Sequence, residues 1–332
     1  MTKSNQVPGI AVVGCGDWGR HHVRNYHALG ALRAICDANP ATARSHESGY
    51  GVPARPFEDL LADPEIDGVA LCTPDKLHGP MTGEALDAGK HVFVEKPIAF
   101  SVAEVQALCG RAAEAKRVLM TGHILQYHPA FRRLTEMIAG GVIGKPRHIT
   151  AERRNFGKFG NGRHILWDLA PHDISMALSL FDEMPSNVRA VGCAVLRPGV
   201  ADSVTIELEF PSGRTAEIGC SSIYAEKRHR LTVVGEQAFA VFDDTAPWHE
   251  KVALHSHAVD WSQSGPRARR GVCEFVAVDE GEPLQLECRH FLDCIVNGRA
   301  PVTDGAEGRR VIDVLIAAEQ SLEMNAPVRL AG

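Results

Sequence analysis

The sequence predicts an α/β chain: a doubly wound parallel sheet over residues 1–123, then an α+β domain over residues 124–332 with an open, predominantly antiparallel mixed sheet. Three observations carry that expectation. Short apolar runs alternate with helix-like stretches as far as Met120, and strands alternating with helices imply parallel pairing. A glycine-rich turn, Gly14-Cys15-Gly16-Asp17-Trp18-Gly19, separates the first run from the first helix. Beyond Lys145 the rhythm changes to strict alternation, with Val204, Ile206, Leu208 and Phe210 on one face of a strand and Ser203, Thr205, Glu207 and Glu209 on the other. At 332 residues the chain exceeds the usual size of one hydrophobic core, so two domains are expected.

Ile10–Val13 is a strand ending in the glycine turn, Trp18–Leu29 a helix, and Leu32–Cys36 a second strand that completes a βαβ unit. Helical stretches at Pro40–Ser48 and Phe57–Leu61, the strand Gly68–Cys72, the helix Met81–Ala88 and the strand His91–Val94 continue the rhythm. Ser101 and Glu104 have capping-box spacing ahead of a periodic stretch to Ala115, and Val118–Met120 supplies a further strand, so the first domain ends near Gly122. In the second half, Pro211-Ser212-Gly213 turns Ser203–Phe210 back into Thr215–Ile223 as a hairpin. Leu231–Val234 and Phe239–Phe242 flank Gly235-Glu236 in the same way. Asp244–Gly271, rich in His, Arg, Gly and Pro, reads as an excursion loop, and Asp304–Met324 as a closing helix.

The net charge of -6 offers no general attraction for nucleic acid or anionic membrane, so the expected partners are small molecules and further copies of the chain, as a homodimer or homotetramer. Apolar runs stay far short of a membrane span, and Met1–Gln6 lacks the apolar core of a signal peptide, which points to the cytoplasm. Nine cysteines without a CxxC pair read as small buried hydrophobes, with neither a disulfide framework nor a metal site expected.

Gly14-x-Gly16-x-x-Gly19 follows a strand and opens a helix, the setting of a dinucleotide fingerprint in a Rossmann domain. Gly14 permits the turn, Gly16 lets a pyrophosphate approach the backbone, Gly19 allows close packing, and the helix N-terminus supplies positive potential. Asp37 ends the second strand, where a carboxylate accepts both ribose hydroxyls and repels a 2'-phosphate, so NAD is favoured over NADP. Ligands bind beyond the carboxyl ends of such strands, and two motifs fall there: Thr73-Pro74-Asp75-Lys76-Leu77-His78 and Glu95-Lys96-Pro97. The Lys96 amine can take or give the proton that accompanies hydride transfer at an alcohol carbon, if its surroundings bring its pKa towards neutrality. Asp168 and His172 stand four apart ahead of an apolar helix running to Phe181. Pro171 restricts the helix start to the neighbourhood of Asp168, which puts His172 near the positive end. Alternatively Asp168 is a helix cap and His172 a packed core histidine.

These residues resemble the successive signatures of the glucose-fructose oxidoreductase and myo-inositol dehydrogenase (Gfo/Idh/MocA) family: the glycine turn, Thr73-Pro74 with His78, Glu95-Lys96-Pro97 and Asp168-x-x-x-His172. The resemblance spans essentially the whole chain. It implies an NAD-binding Rossmann domain and a substrate domain, with Gly14, Gly16, Asp17, Trp18, Gly19, Asp37, Thr73, Pro74, His78, Glu95 and Lys96 around the cofactor. It also implies that Lys96, Asp168 and His172 surround the reacting hydroxyl, with Lys96 or His172 receiving its proton. His123, Tyr127 and His128 are candidates for the substrate pocket because relatives line it there.

Leu166–Ile174, Glu226–Arg230 and Phe242-Asp243-Asp244 look like the nucleotide-sugar 3-dehydrogenases of this family, which oxidise C3 of UDP-N-acetylglucosamine or its uronic acid. The Lys227, Arg228 and Arg230 cluster can neutralise a diphosphate, or simply face water. A myo-inositol or free-sugar dehydrogenase would keep the trio without needing that cluster. A non-catalytic NAD sensor would keep the glycines and Asp37 yet be able to lose Lys96 or His172, and here all are present.

Overall fold

The computed structural model describes residues 7–157, 159, 163–262 and 265–330. They divide into two compact units, one reaching to Tyr127 and including Glu282–Ile312, the other His128–Gly281 and the chain from Asp313.

The first unit is built on strands β1 (Ile10–Val13), β2 (Leu32–Cys36), β3 (Gly68–Leu71), β4 (His91–Glu95) and β5 (Leu119–Gly122), all parallel in the order β2-β1-β3-β4-β5. Its helices are α1 (Gly19–Ala28), α2 (Pro40–Tyr50), α3 (Phe57–Ala62), α4 (His78–Asp87) and α5 (Val102–Ala115). β1 and β3 are buried at every position, as strands covered on both faces should be. The Ser101 hydroxyl caps α5 by accepting the Glu104 N–H at 3.2 Å. α4 starts three residues earlier than its apolar periodicity suggests, because a 3-10 turn over Asp75–Leu77 leads directly into it. Register decides what shares the carboxyl edge. Val13 lies opposite Leu71, Leu71 opposite Val94 and Glu95 opposite Gly122, so the segments after β1, β3, β4 and β5 emerge side by side. The strand order reverses between β1 and its neighbours β2 and β3, which opens a crevice there.

The second unit comprises α6 (Pro129–Ala139), β6 (Pro146–Phe156), α7 (Leu166–Phe181), β7 (Asn187–Cys193), β8 (Ser203–Glu209), β9 (Thr215–Ser221), β10 (Ile223–Gly235), β11 (Phe239–Asp243), β12 (Val252–His255), β13 (Ala258–Ser262), β14 (Gly265–Arg269) and β15 (Cys273–Phe275). The chain then continues through α8 (Pro283–Asn297), α9 (Gly305–Met324) and β16 (Val328–Arg329). The large sheet runs β15-β12-β11-β10-β6-β9-β8-β7-β16. β6 and β9 pair in parallel and the other described pairings are antiparallel, so the sheet is mixed. β8 and β9 form the expected hairpin, with Ser203 opposite Ser221, and β10 pairs with β11 as expected.

One expectation needs correction. Asp244–Gly271 is not an open excursion: Val252–His255 extends the large sheet, and Ala258–Ser262 with Gly265–Arg269 forms a separate hairpin. The two compact units do not follow a single cut in the chain. The chain stays with the first unit to Tyr127, and α8 with the first turns of α9 returns to it. The apolar face of α8, with Leu284, Cys288, Phe291 and Leu292, joins the core formed by Ile10, Ile35, Phe93 and Tyr127. Phe291 meets Phe93 edge-on at 6.0 Å. Removing that ring in Phe291→Ala is expected to cost about 3–5 kcal/mol in urea unfolding of the full chain, and a cost below about 1 kcal/mol would contradict this packing.

Candidate active site

The glycine turn is fixed by steric need. Gly14 has φ +84°, and a Cβ there would lie 2.6 Å from the Cys72 carbonyl oxygen. A Cβ on Gly19 would fall 1.8 Å from the Gly14 carbonyl oxygen, so α1 can start this close only with glycine. Gly16 is different: a Cβ there would meet nothing within 4 Å. The open space is what a pyrophosphate approaching the turn requires, and a side chain would fill it. Asp37 braces the same turn, accepting the Cys15 N–H with Oδ2 and the Asn39 N–H with Oδ1, each at 2.7 Å. An ionised carboxyl keeps lone pairs for ribose hydroxyls after both bonds. Asp17 and Trp18 are exposed beside it.

His78 joins two of the edge segments. Its ring nitrogens lie 2.8 Å from the Pro97 carbonyl and 2.8 Å from the Thr73 carbonyl, so one buried imidazole holds Thr73-Pro74 against Lys96-Pro97. The Thr73 hydroxyl is buried and has no hydrogen-bond partner among the described residues, a polar atom suited to a ligand at this edge. Glu95 is the centre of a second set of contacts that sequence reading did not anticipate. Its Oε1 accepts from Nε2 of the fully buried His22 at 2.8 Å and from Nε1 of Trp18, and its Oε2 lies 3.2 Å from the Lys96 N–H. Burial alone would raise the Glu95 carboxyl, but His22, Trp18 and Lys96 outweigh it and hold the group below its ordinary range. The only sequence signal for His22 is its place one turn into α1, on the face that returns to the sheet.

In the second unit, Asp168 is exposed and His172 half-buried on α7, while most of the rest of that helix is buried. The two share a face, four residues apart. α7 starts at Leu166, with Ile165 at the cap position, so Asp168 is not the cap and Pro171 lies inside the helix. His172 is therefore nearly two turns in, beyond reach of the strongest terminal dipole, and not near the positive end as a start at Asp168 would have placed it. What fixes α7 is the next residue. Asp173 accepts Nε of Arg153 on β6 at 2.7 Å and its NH2 at 3.1 Å, with both side chains buried. Burial alone would lower the Arg153 guanidinium, yet Asp173 raises it.

The remaining substrate candidates are largely engaged in the fold. His123 is 2 % exposed with Nδ1 2.6 Å from Glu307, and the buried Tyr127 hydroxyl bonds Thr303 at 2.9 Å. His128 caps α6, accepting the Ala130 N–H at Nδ1, and turns Nε2 to Asp244 at 3.2 Å. Burial would raise Asp244, but His128, His229 and Lys251 hold it far below the carboxylate range. Lys227 is exposed on β10, while Arg228 pairs with Glu152 at 3.5 Å and Glu226 at 3.6 Å, so part of the basic cluster is already balanced. Among the described residues no group of three His, Cys, Asp or Glu is placed to hold a metal ion, and no helix is long and apolar enough to cross a membrane.

The sequence matches the family model for the GFO/IDH/MocA oxidoreductase family, NAD-binding Rossmann fold, over residues 9–123, and that for the GFO/IDH/MocA C-terminal domain over residues 131–241. It is 30% identical over 313 residues to the UDP-N-acetylglucosamine 3-dehydrogenase of Acidithiobacillus ferrooxidans, covering 94% of this chain and 96% of that protein. The chain belongs to the Gfo/Idh/MocA oxidoreductase family. A solved structure of the same Acidithiobacillus enzyme superposes with a TM-score of 0.84 at 29% identity, over 95% of this chain and 97% of that one. The scyllo-inositol 2-dehydrogenase (NAD(+)) of Bacillus subtilis is 27% identical, over 96% of this chain and 95% of that protein. As a Gfo/Idh/MocA member the chain is an NAD(P)-dependent dehydrogenase acting on CH–OH groups. The His78 bridge orders the two edge segments after β3 and β4. His78→Ala is expected to weaken NADH binding on the order of tenfold in a fluorescence titration, and an unchanged Kd would contradict that role.

Proposed function

We propose that this enzyme oxidises a pyranose ring hydroxyl with NAD, at C3 of a UDP-N-acetylglucosamine-type nucleotide sugar. The observation that carries the substrate is the likeness to the UDP-N-acetylglucosamine 3-dehydrogenase along nearly the whole of both chains. Asp37 at the end of β2 supports NAD, since a carboxylate receives two ribose hydroxyls and repels a 2'-phosphate. Gly14, Gly16 and Gly19 hold the pyrophosphate, and Thr73, Pro74 and His78 form the adjoining edge. NAD, when bound, accepts the hydride from the substrate carbon.

Lys96 receives the proton of the same hydroxyl, either directly or shared with His172, and Asp168 orients and compensates the resulting charge. Glu95 favours the ammonium form of its neighbour, and a bound nicotinamide's positive charge would oppose it. Lys227, on the exposed part of β10, attracts the diphosphate.

The second reading is an inositol or free-sugar dehydrogenase. It is favoured by the pairing of Arg228 with Glu152 and Glu226, which leaves less net positive charge for a diphosphate. Purified protein incubated with NAD and a panel of UDP-sugars, inositols and free sugars is expected to form NADH with UDP-N-acetylglucosamine or its uronic acid; turnover with inositol alone would reject the nucleotide sugar. Lys96→Ala is expected to bind NAD yet lose roughly 10²–10⁴ in kcat, and full turnover would remove Lys96 from the mechanism. Asp37→Ser is expected to narrow the preference for NAD over NADP in the ratio of kcat/KM, and an unaltered ratio would remove Asp37 from cofactor choice.

A further inference from the structure

A carboxyl group in the core of the first unit is used by nothing in the chemistry above. Glu287 on α8 is fully buried, and neither of its oxygens meets a hydrogen-bond partner among the described residues. The next residue, Cys288, sets its thiol 3.8 Å from Nδ1 of His22, the histidine whose Nε2 reaches Glu95. Facing Glu287 are Tyr26 of α1, Cys72 after β3, Glu95 of β4, Tyr127 after β5 and Cys288 of its own helix, none of them a lysine or arginine. Lys96 acts on Glu95, and Glu282 acts on Cys288 from the start of α8. The buried Tyr26 hydroxyl meets no hydrogen-bond partner among the described residues, and Cys288, Cys72 and Glu287 all act on it.

Two carboxyls in one dry region of a core do not both ionise readily. The donors decide which one does. Glu95 is surrounded by His22, Trp18 and the Lys96 N–H, and Glu287 by none. Burial first and the Glu95 charge second push the Glu287 carboxyl well above its ordinary value.

We propose that Glu287 is kept as a carboxylic acid, so that Glu95 and Glu287 together carry one negative charge, and that it is a positioning residue that fixes the charge behind Lys96. This rests on the reading of Lys96 as proton acceptor. A second negative charge would stabilise the Lys96 ammonium and withdraw the base. The acid form of Glu287 is therefore the competent one. Oxidation falls as that proton is lost at alkaline pH, although loss of a proton from Lys96 alone would speed it.

Stability carries the same signature. With its pKa raised on folding, Glu287 ionises in the unfolded chain first; its cost is absent below the ordinary carboxylate range and grows as pH rises towards the folded value. Full-length wild type and Glu287→Gln are compared by thermal unfolding from about pH 5 to about pH 9, where the variant is expected to gain Tm progressively over wild type. A Tm difference independent of pH overturns the proposal, whatever the enzyme oxidises. In the pH profile of NAD-dependent oxidation, the alkaline limb of wild type is expected to move up by about one pH unit or more in the variant. An unmoved limb overturns the positioning role. If Glu287→Gln does not fold, wild type labelled with carbon-13 in its glutamate carboxyls decides: a protonated-acid carbonyl band at neutral pH is expected in the infrared spectrum, and its absence overturns the proposal. An enzyme that makes no NADH from any sugar defeats the functional reading instead, and leaves the unfolding and infrared results to be read on their own.

Discussion

The Glu95 carboxylate draws the Nε2–H of His22, the Nε1–H of Trp18 and the backbone N–H of Lys96 onto one partly buried charge. Helix α1, which starts at the cofactor turn, and strand β4, which delivers Lys96, are thereby held to the same group. Charge-assisted hydrogen bonds in a low-dielectric interior are strong when complete and costly when broken, so this contact fixes direction as well as position. Gly122 belongs to the same constraint: a Cβ there would lie 2.9 Å from Glu95 Oε2. The Gly-His step after β5 thus leaves room for the carboxylate on the neighbouring strand.

A comparable device works in the second unit. Arg153 and Asp173 form a bidentate pair between β6 and α7, buried on both sides. Such a pair is weak evidence for net stability, because desolvation consumes much of the attraction. Its consequence is orientation, since it fixes the rotation of α7 one residue after His172 and so determines which way Asp168 and His172 face. In both units the proposed catalytic side chain stands next in sequence to a charge held by hydrogen bonds, partly buried at Glu95 before Lys96 and buried at Asp173 after His172.

Much of this was legible in the sequence, for physical reasons. The parallel sheet follows from the alternation of short apolar runs with helical periods, and the glycine turn from Gly14 and Gly19, where contacts leave no room for a side chain, with open space at Gly16 between them. The β8–β9 hairpin follows from strict two-residue alternation. What escaped depends on long-range partners. Leu284, Cys288, Phe291 and Ile295 recur at helical spacing, yet nothing local says that this helix packs on a sheet formed two hundred residues earlier, about that distance being irrelevant to core packing. His22, Arg153 and Glu287 likewise look ordinary in sequence, because burial and a specific partner give them their meaning. Histidines 123 and 128 stand out in sequence as titratable residues near a domain junction, and what sequence could not show is that their rings turn to Glu307 and Asp244.

The account stands on the claim that an ionised Glu95 controls the proton affinity of Lys96. The most direct measurement is the pH dependence of kcat for NAD-dependent oxidation in Glu95→Gln against wild type. Loss of the neighbouring negative charge destabilises the Lys96 ammonium, so the acid limb of the profile is expected to move to lower pH by about one unit. An acid limb that coincides with wild type, in a variant that folds and turns over, would contradict the claim.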